Sequence, residues 1–458
     1  MSADSQDEIF VCWIDGLVNG SDIADNIIRP LFLTGALTGA SDMRSCADAI
    51  ISGSVYSYTL RERKSMDELV SDLTHGSCAL IFDDLELALS FEARSTAVRA
   101  VSEPTLEKAV KGAKDSFVET LRLNTALVRR RICNPKLKLV ESTVGRKSNT
   151  RLAIMFIDGV ASPATVEELA RRLDSVDVDA LNAVGSLEEY IVDSPRSPFP
   201  QLLHTERPDR FAAYLLDGRV GILADGIPIG LVAPVSLWEF MKVTGDASLH
   251  YLVSTTLTML RYISMFLCLY MPALYVSISM YHQEMIPTKL LLSIIEAKQN
   301  VPFSTAVEVL GMIIAFSMLQ EAGLRLPNPI GDTVSIIGVL IVGQSAVEAQ
   351  VVSPIAIIVV AVSGIASYTI PSQDLGYALR LCRFWLLLAA VTAGLFGVGF
   401  VTSLILLHLA SLDSFGTNYT SPLSDRFGGL ARLLFRPFKP RDKFRDENLN
   451  TPDKRRQI

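Results

Sequence analysis

The sequence is poor in the parts from which an enzyme centre is built. Its 458 residues contain no G-x-x-x-x-G-K-[ST], G-x-S-x-G, G-x-G-x-x-G or H-E-x-x-H run, so no phosphate loop, nucleophile elbow, dinucleotide turn or zincin helix can be assigned. The histidines His75, His204, His250, His282 and His408 are scattered, and His408 lies inside an apolar run where a buried structural role is expected. Six cysteines, Cys12, Cys46, Cys78, Cys133, Cys268 and Cys382, form no C-x-x-C pair. They are too sparse for a disulfide-built secreted scaffold and read as reduced structural thiols. The first 20 residues are acidic and lack a basic segment followed by an apolar run. A cleaved signal peptide is therefore not expected, and the first domain is expected in the cytoplasm. A formal net charge of −7 gives no basis for nucleic-acid binding. Neither catalysis nor a metal or cofactor is expected.

What is present is a sharp segregation of charge. The segment 1–250 carries 26 Lys+Arg and 36 Asp+Glu, the segment 251–424 only 6 and 8, and the segment 425–458 has 10 and 5. A single water-soluble globule does not sort its charge in this way. The pattern predicts an α/β soluble N-terminal region, an α-helical transmembrane domain over 251–424 and a basic tail over 425–458.

A membrane span needs roughly 20 mostly apolar residues. Uncharged runs of that length lie between Arg261 and Glu284, from Ala349 to Gln373 and from Phe384 to Leu412. A shorter run, 333–347, reaches span length with its neighbours and is read as a fourth crossing. The stretch 303–320 contains Glu308 and ends at Glu321. It could be a span, a re-entrant element or an interfacial helix. The basic residues after the last span, among them Arg432, Arg436, Lys439 and Arg441, favour the cytoplasmic side. A cytoplasmic first domain and tail need an even number of crossings, so four are expected, with 303–320 not crossing.

The first half contains a repeat. LTHGSCALIFDDLELAL from Leu73 aligns with LLDGRVGILADGIPIGL from Leu215, matching Gly76 with Gly218 and Asp83 with Asp225. CWIDGLV and MFIDGVA match Asp15–Gly16 with Asp158–Gly159. Each repeat reads as a short strand ending in Asp-Gly and, later, a β-hairpin. Thr165 and Glu168 stand at capping-box spacing before one helical pattern, and SDIADNIIRPL reads as its counterpart, ended by Pro30. Two similar α/β subdomains follow, 1–95 and 150–250, joined by a mainly helical connector over 96–149. The Asp-Gly pairs read as turn chemistry rather than metal or phosphate ligands. Arg129, Arg130 and Arg131 read as a solvated helix face or a subdomain contact rather than an anion site.

Several long stretches carry a family resemblance: EPTLEKAVKGAKDSFVETLRLNTALVRRRI (103–132), SPFPQLLHTERPDRFAAYLLDGRVGILADG (197–226), YHQEMIPT (281–288), EAGLRLPNPIG (321–331) and VSIIGVLIVGQSAVEAQVVSP (334–354). From about residue 10 to 425 the chain resembles GerA-type spore germination proteins, specifically the A subunit of a nutrient germinant receptor. The resemblance implies a role in endospore germination in the inner spore membrane. It also implies partners: a permease-like B subunit that binds germinant and a lipoprotein C subunit. A-type subunits are thought to self-associate as a ring into an ion channel. A non-conducting scaffold and a secondary transporter are the alternatives.

If such a ring forms, the helix 333–348 offers a lining. At ~100° per residue, Thr333, Ile337, Ile341, Gln344 and Glu348 share one stripe. Repeated around an axis, it would set apolar rings in series with an acidic ring that favours cations. The opposite face, with Gly338 and Val342, suits helix packing, as do Ala390, Gly394 and Gly397 of the last span.

Overall fold

Short apolar strands punctuated by Gly turns in the first half, and long uncharged runs in the second, become two different architectures in the computed structural model. It describes residues 9–33, 43–52, 60–82, 85–94, 104, 107, 111–181, 183–325, 343–423, 433–435, 438, 440 and 442–457. The chain divides into two compact units. One is Met1–Pro195 with Leu202–Pro234 and Asp442–Ile458, and the other is Arg196–Gln201 with Val235–Arg441.

The first unit holds two antiparallel sheets. Strands β1 (Ile9–Cys12), β2 (Leu60–Arg63), β3 (Ser77–Phe82) and β4 (Leu87–Glu92) lie in the order β1-β3-β4-β2. Strands β5 (Leu137–Val144), β6 (Thr150–Ile157), β7 (Leu203–Thr205), β8 (Val220–Ala224) and β9 (Gly230–Ala233) lie in the order β5-β6-β8-β9-β7. Without β5 the second order reproduces the first. The register is reproduced too, at the positions set by matching Gly76 with Gly218. Cys78 faces Phe91, and at the equivalent place Val220 faces Ala233. Arg63 faces Ala88, and its equivalent Thr205 faces Gly230. A one-residue slip would turn every side chain to the other face, so a shared register means a shared core face.

After a short helical run over 20–33, the helices of this unit among the described residues are α1 (Met43–Ile51), α2 (Met66–Thr74), α3 (Leu121–Arg131), α4 (Pro163–Asp174), α5 (Val184–Ile191) and α6 (Pro208–Leu216). Helices α2 and α6 occupy matching places in the two repeats. Each ends in a left-handed glycine, Gly76 at φ +89° and Gly218 at φ +99°, the usual way to stop a helix and enter a strand. A Cβ at these sites would stand 3.2 Å from the Leu17 carbonyl and 3.1 Å from the Val160 carbonyl respectively, so close backbone approach also requires glycine there. One face of the first sheet packs Leu80, Phe82, Leu89 and Phe91 against Ile23, Ile27 and Ile50. All six cysteines are unbridged, and burial pushes the Cys78 thiol up to about 12, as expected of inert structural thiols.

Several local expectations are corrected. Helical structure from Gly20 runs on through Pro30 to Leu33, because a π-helical turn, Ala24–Ile28, intervenes. A π-turn re-spaces the hydrogen-bond ladder where the proline lacks its N–H. Helix α4 starts at Pro163 behind Ser162, not at Thr165. Proline at the first helical position is pre-set for the turn, and Glu168 pairs instead with Arg171 and Arg172. These contacts hold its carboxyl down at about 2. Within 103–132, the described helix is Leu121–Arg131 alone. The segment 137–144 forms β5, so the second sheet begins before residue 150. The C-terminal segment is not a free tail. Arg445 Nε donates to the Leu216 carbonyl at 3.0 Å, Arg456 pairs with Asp217, and Thr451 is buried beside Gly218. Cations are favoured at the carbonyl end of α6.

The second unit is helical: α7 (Tyr251–Tyr281), α8 (Thr288–Lys298), α9 (Thr305–Arg325), α10 (Pro354–Tyr368) and α11 (Gln373–Ser411). Among the described residues three of these, α7, α9 over Thr305–Gly323 and α11, are long and apolar enough to cross a membrane. The stretch 303–320, expected to stay out, therefore lies in one of them. Conversely, the uncharged run 349–373 yields a helix of only 15 residues, ~22 Å long against a ~30 Å hydrocarbon core. Pro354 opens it and Thr369 caps it two residues before Pro371. The fourth expected crossing, 333–347, lies mostly outside the described residues.

Candidate functional site

Two of the ionisable groups buried in the helical unit, Glu308 and Arg383, lie on its long helices. Glu308 stands in the first turn of α9, where the helix dipole favours a carboxylate. Its side chain is fully buried. The Ser353 backbone N–H donates to Glu308 Oε2 at 3.0 Å, and Lys298 Nζ lies 3.3 Å from Oε1. Lys298 also donates to Thr305 Oγ1. Ser353 is the N-cap of α10, its Oγ accepting from the Ala356 N–H. One carboxylate thus joins the end of α8 and the starts of α9 and α10. Taking an ion pair out of water is costly unless its hydrogen bonds are completed, and ionisable groups in such a setting mark candidate functional sites.

The second is Arg383 on α11, 3% exposed. Its Nη1 donates to Ser363 Oγ at 3.3 Å, and Ser363 Oγ donates to the Cys268 carbonyl at 3.1 Å. The chain of bonds crosses α11, α10 and α7. Arg383 Nε has no hydrogen-bond partner among the described residues. Arg380, one turn earlier, stacks over Tyr377. Sequence reasoning noted Glu308 without a partner and passed over Lys298 and Arg383. The available signal was the scarcity of charge itself: over 251–424, where charge is so sparse, each charged side chain near an apolar run was a candidate.

The proposed lining stripe is only partly described. Thr333, Ile337, Ile341, Gly338 and Val342 lie outside the described residues. Gln344 and Glu348 are exposed on a helical stretch, 343–348, and Gln344 Nε2 donates to Glu348 Oε1 at 2.9 Å. Those two side chains therefore share a face, as the four-residue spacing requires. Ala390, Gly394 and Gly397 are all buried in α11. Gly394 breaks the helix, with φ +58° and ψ −140°, and a Cβ there would meet Tyr281 and His282 at 3.1 Å. The small residues at 390 and 394 are thus enclosed by this chain's own packing. His408 Nε2 is bonded to Ser197 Oγ at 2.9 Å, a structural role.

In the first unit the turn aspartates have structural work. Asp15 pairs with Arg122, and its carbonyl is approached by Arg129. Asp225 Oδ1 accepts from the Leu121 N–H at 2.9 Å and so caps α3. Asp83 lies outside the described residues. Gly16 and Gly159 both take positive φ, +84° and +79°, as Asp-Gly turns do. Arg131 binds Asp115 at 2.6 Å. The arginine run is thus used for contacts within the unit.

Comparison with known proteins gives one family model, described as Bacillus/Clostridium GerA spore germination protein, which matches residues 1–447. The chain is 37% identical over 443 residues to a protein described as uncharacterized membrane protein YfkQ of Bacillus subtilis (strain 168), covering 97% of this chain and 83% of that one. It is 37% identical over 420 residues to spore germination protein B1 of the same organism, covering 92% and 86%. Among solved structures, it is similar to the crystal structure of the N-terminal domain of the A subunit of the Bacillus megaterium spore germinant receptor GerK3. The identity is 30% and the TM-score 0.40, over 50% of this chain and 83% of that one.

Proposed function

The chain belongs to the Bacillus/Clostridium GerA spore germination protein family, and from that membership we propose that it assembles into a nutrient-gated channel releasing cations at the start of germination. Its role in spore germination as an A subunit of a germinant receptor follows from the family. The channel activity and the ring are the further step. The observation that carries them is the fully buried Glu308, paired with the half-buried Lys298, in a unit whose helices are sparse in charge. Ionisable groups held in apolar helices suit an ion path. The proposed lining is the stripe Thr333, Ile337, Ile341, Gln344 and Glu348, with apolar rings at the two isoleucines and an acidic ring at Glu348. The proposed partners are a permease-like B subunit, which binds the germinant, and a lipoprotein C subunit. The proposed location is the inner spore membrane.

Both termini are proposed to be cytoplasmic. The contacts of Arg445 and Arg456 with Leu216 and Asp217 support a shared side, because residues that touch lie on one side of the membrane, and the basic residues after the last apolar helix favour the cytoplasmic one. That requires an even number of crossings between them. A non-conducting scaffold is the second reading. It is favoured by Ala390 and Gly394, whose burial within the chain leaves that small-residue face unavailable to a neighbouring copy.

The test is the behaviour of two variants in spores. Ile341→Ser wets the constriction and releases cations without nutrient, whereas Glu348→Gln assembles normally but discriminates less between cations and anions. If both variants are assembled and release ions like the parent, this helix does not line a pore.

A further inference from the structure

The internal repeat exposes a difference that folding alone does not require. On the face of the first sheet that meets α2, Ala79, Ile81 and Ala88 pack under Leu69 and Leu73. Beyond that patch the same face turns polar, with Arg61 and Arg63 from β2, Ser77 from β3, and Ser90 and Glu92 from β4. Together with Ser71, Asp72, His75 and Arg94 these residues surround a cavity of about 310 Å³. At the equivalent positions of the second repeat, Arg61 becomes Leu203, Ser90 becomes Val232 and Asp72 becomes Tyr214. Those three are 1%, 0% and 7% exposed. Ser77 becomes Arg219, which stacks on Tyr214 at 4.6 Å. One copy of the fold fills this space as core. The other keeps it open and lines it with charge, with Ser90 and Asp72 themselves 3% and 8% exposed. Burying polar groups is unfavourable unless they have partners, so an open polar cavity in place of core calls for an occupant.

Its charge says which kind. Arg63 is committed to Asp72, with Nε to Oδ2 at 2.8 Å and Nη2 to Oδ1 at 3.2 Å. Arg94 Nε donates to the His75 carbonyl at 2.8 Å, and Glu92 stands 3.8 Å from it. Arg61 lies 3.9 Å from the already engaged Asp72. His75 Nδ1 donates to the Ser71 carbonyl at 2.6 Å. The lining holds three guanidiniums and two carboxylates, and Glu68, outside it, stands 3.5 Å from Arg63 Nη1, so Arg63 is fully engaged and Arg61 and Arg94 are the guanidiniums left to meet an occupant. Guanidinium forks match planar or tetrahedral oxyanions.

We propose that this cavity in the first repeat binds a small oxyanion, carboxylate or phosphate, held by Arg61 and Arg94 with Arg63 positioned by Asp72. The site is separate from the helical unit and does not depend on the channel reading. Arg61 and Arg94 are 57% and 60% exposed along their side chains, so their replacement leaves the fold intact.

The experiment is equilibrium binding of inorganic phosphate and, separately, of acetate to the full chain in detergent, with Arg61→Gln and Arg94→Gln alongside. The expected result is saturable binding of at least one probe at one site per chain, weakened about tenfold or more in each variant at unchanged melting temperature. Phosphate alone, acetate alone or both identifies the oxyanion. No saturable binding of either probe up to about 10 mM overturns the proposal, as does binding that both variants retain.

Discussion

Gly394 of α11 lies against Tyr281 at the end of α7. A Cβ on Gly394 would stand 3.1 Å from the Tyr281 Cβ, and the Tyr281 hydroxyl donates to the Val391 carbonyl. The backbone at Gly394, φ +58° and ψ −140°, is one that residues with a Cβ avoid. The contact therefore ties the helix break to the packing of two long apolar helices. Gly394→Ala should cost about 1–3 kcal/mol, read as a lower melting temperature of the solubilised protein. Gly399→Ala is the control, since a Cβ there meets nothing within 4 Å. Equal melting temperatures would remove the special role of Gly394.

Glu308 and Lys298 should be energetically coupled. Glu308→Ala leaves Lys298 without its carboxylate and the Ser353 N–H without its acceptor, at a cost of about 3–5 kcal/mol. Combining Glu308→Gln with Lys298→Met should recover part of that loss, because no charge is then left unpaired. A double-mutant cycle in protein stability checks this, and additive single effects would mean that the 3.3 Å pair carries no interaction.

The docked C-terminal segment fixes a topological relation. Gln457→Cys, in a chain with its native thiols removed, should react with an impermeant reagent only after the membrane is opened. A cysteine placed at Arg146, an exposed loop position of the first unit, should behave identically. Labelling of one and not the other in intact cells would break the pairing of Arg456 with Asp217 as a native feature.

The Arg63–Asp72 pair predicts acid sensitivity of the first repeat. The Arg63 hydrogen bond holds the Asp72 carboxyl below its ordinary range. A depressed carboxylate stabilises the folded state above its unfolded value of about 3.9 and loses that contribution as pH falls through the lower folded value. Asp72→Asn should therefore be less stable than the parent at pH 7, read as a lower melting temperature. The two should converge as pH falls below about 4. A difference independent of pH would mean that the pair acts through packing alone.

Much of this architecture was legible in the residues. The charge segregation separated a sheet-rich first part from an apolar helical second part, and the Gly76/Gly218 and Gly16/Gly159 matches found a repeat whose strand order and register the structure reproduces. What escaped was set by contacts distant in sequence. Nothing local to Arg445 or Arg456 announces that they bind the end of α6. Strand β5 has no counterpart among the described residues of the first repeat, so the repeat did not reveal it. The uncharged run 349–373 overstated its helix because Pro354 and Pro371 carry no charge yet bound it. In the candidate site, Glu308 was visible as a charge in an apolar stretch, but its partners, Lys298 and the Ser353 N–H, come from neighbouring helices.

The most direct test of the central claim is single-channel recording of the purified, assembled protein in planar bilayers. The account predicts discrete, cation-selective openings whose selectivity falls in Glu348→Gln. Bilayers that contain verified assemblies and stay electrically silent, for the parent and for Ile341→Ser alike, would contradict it.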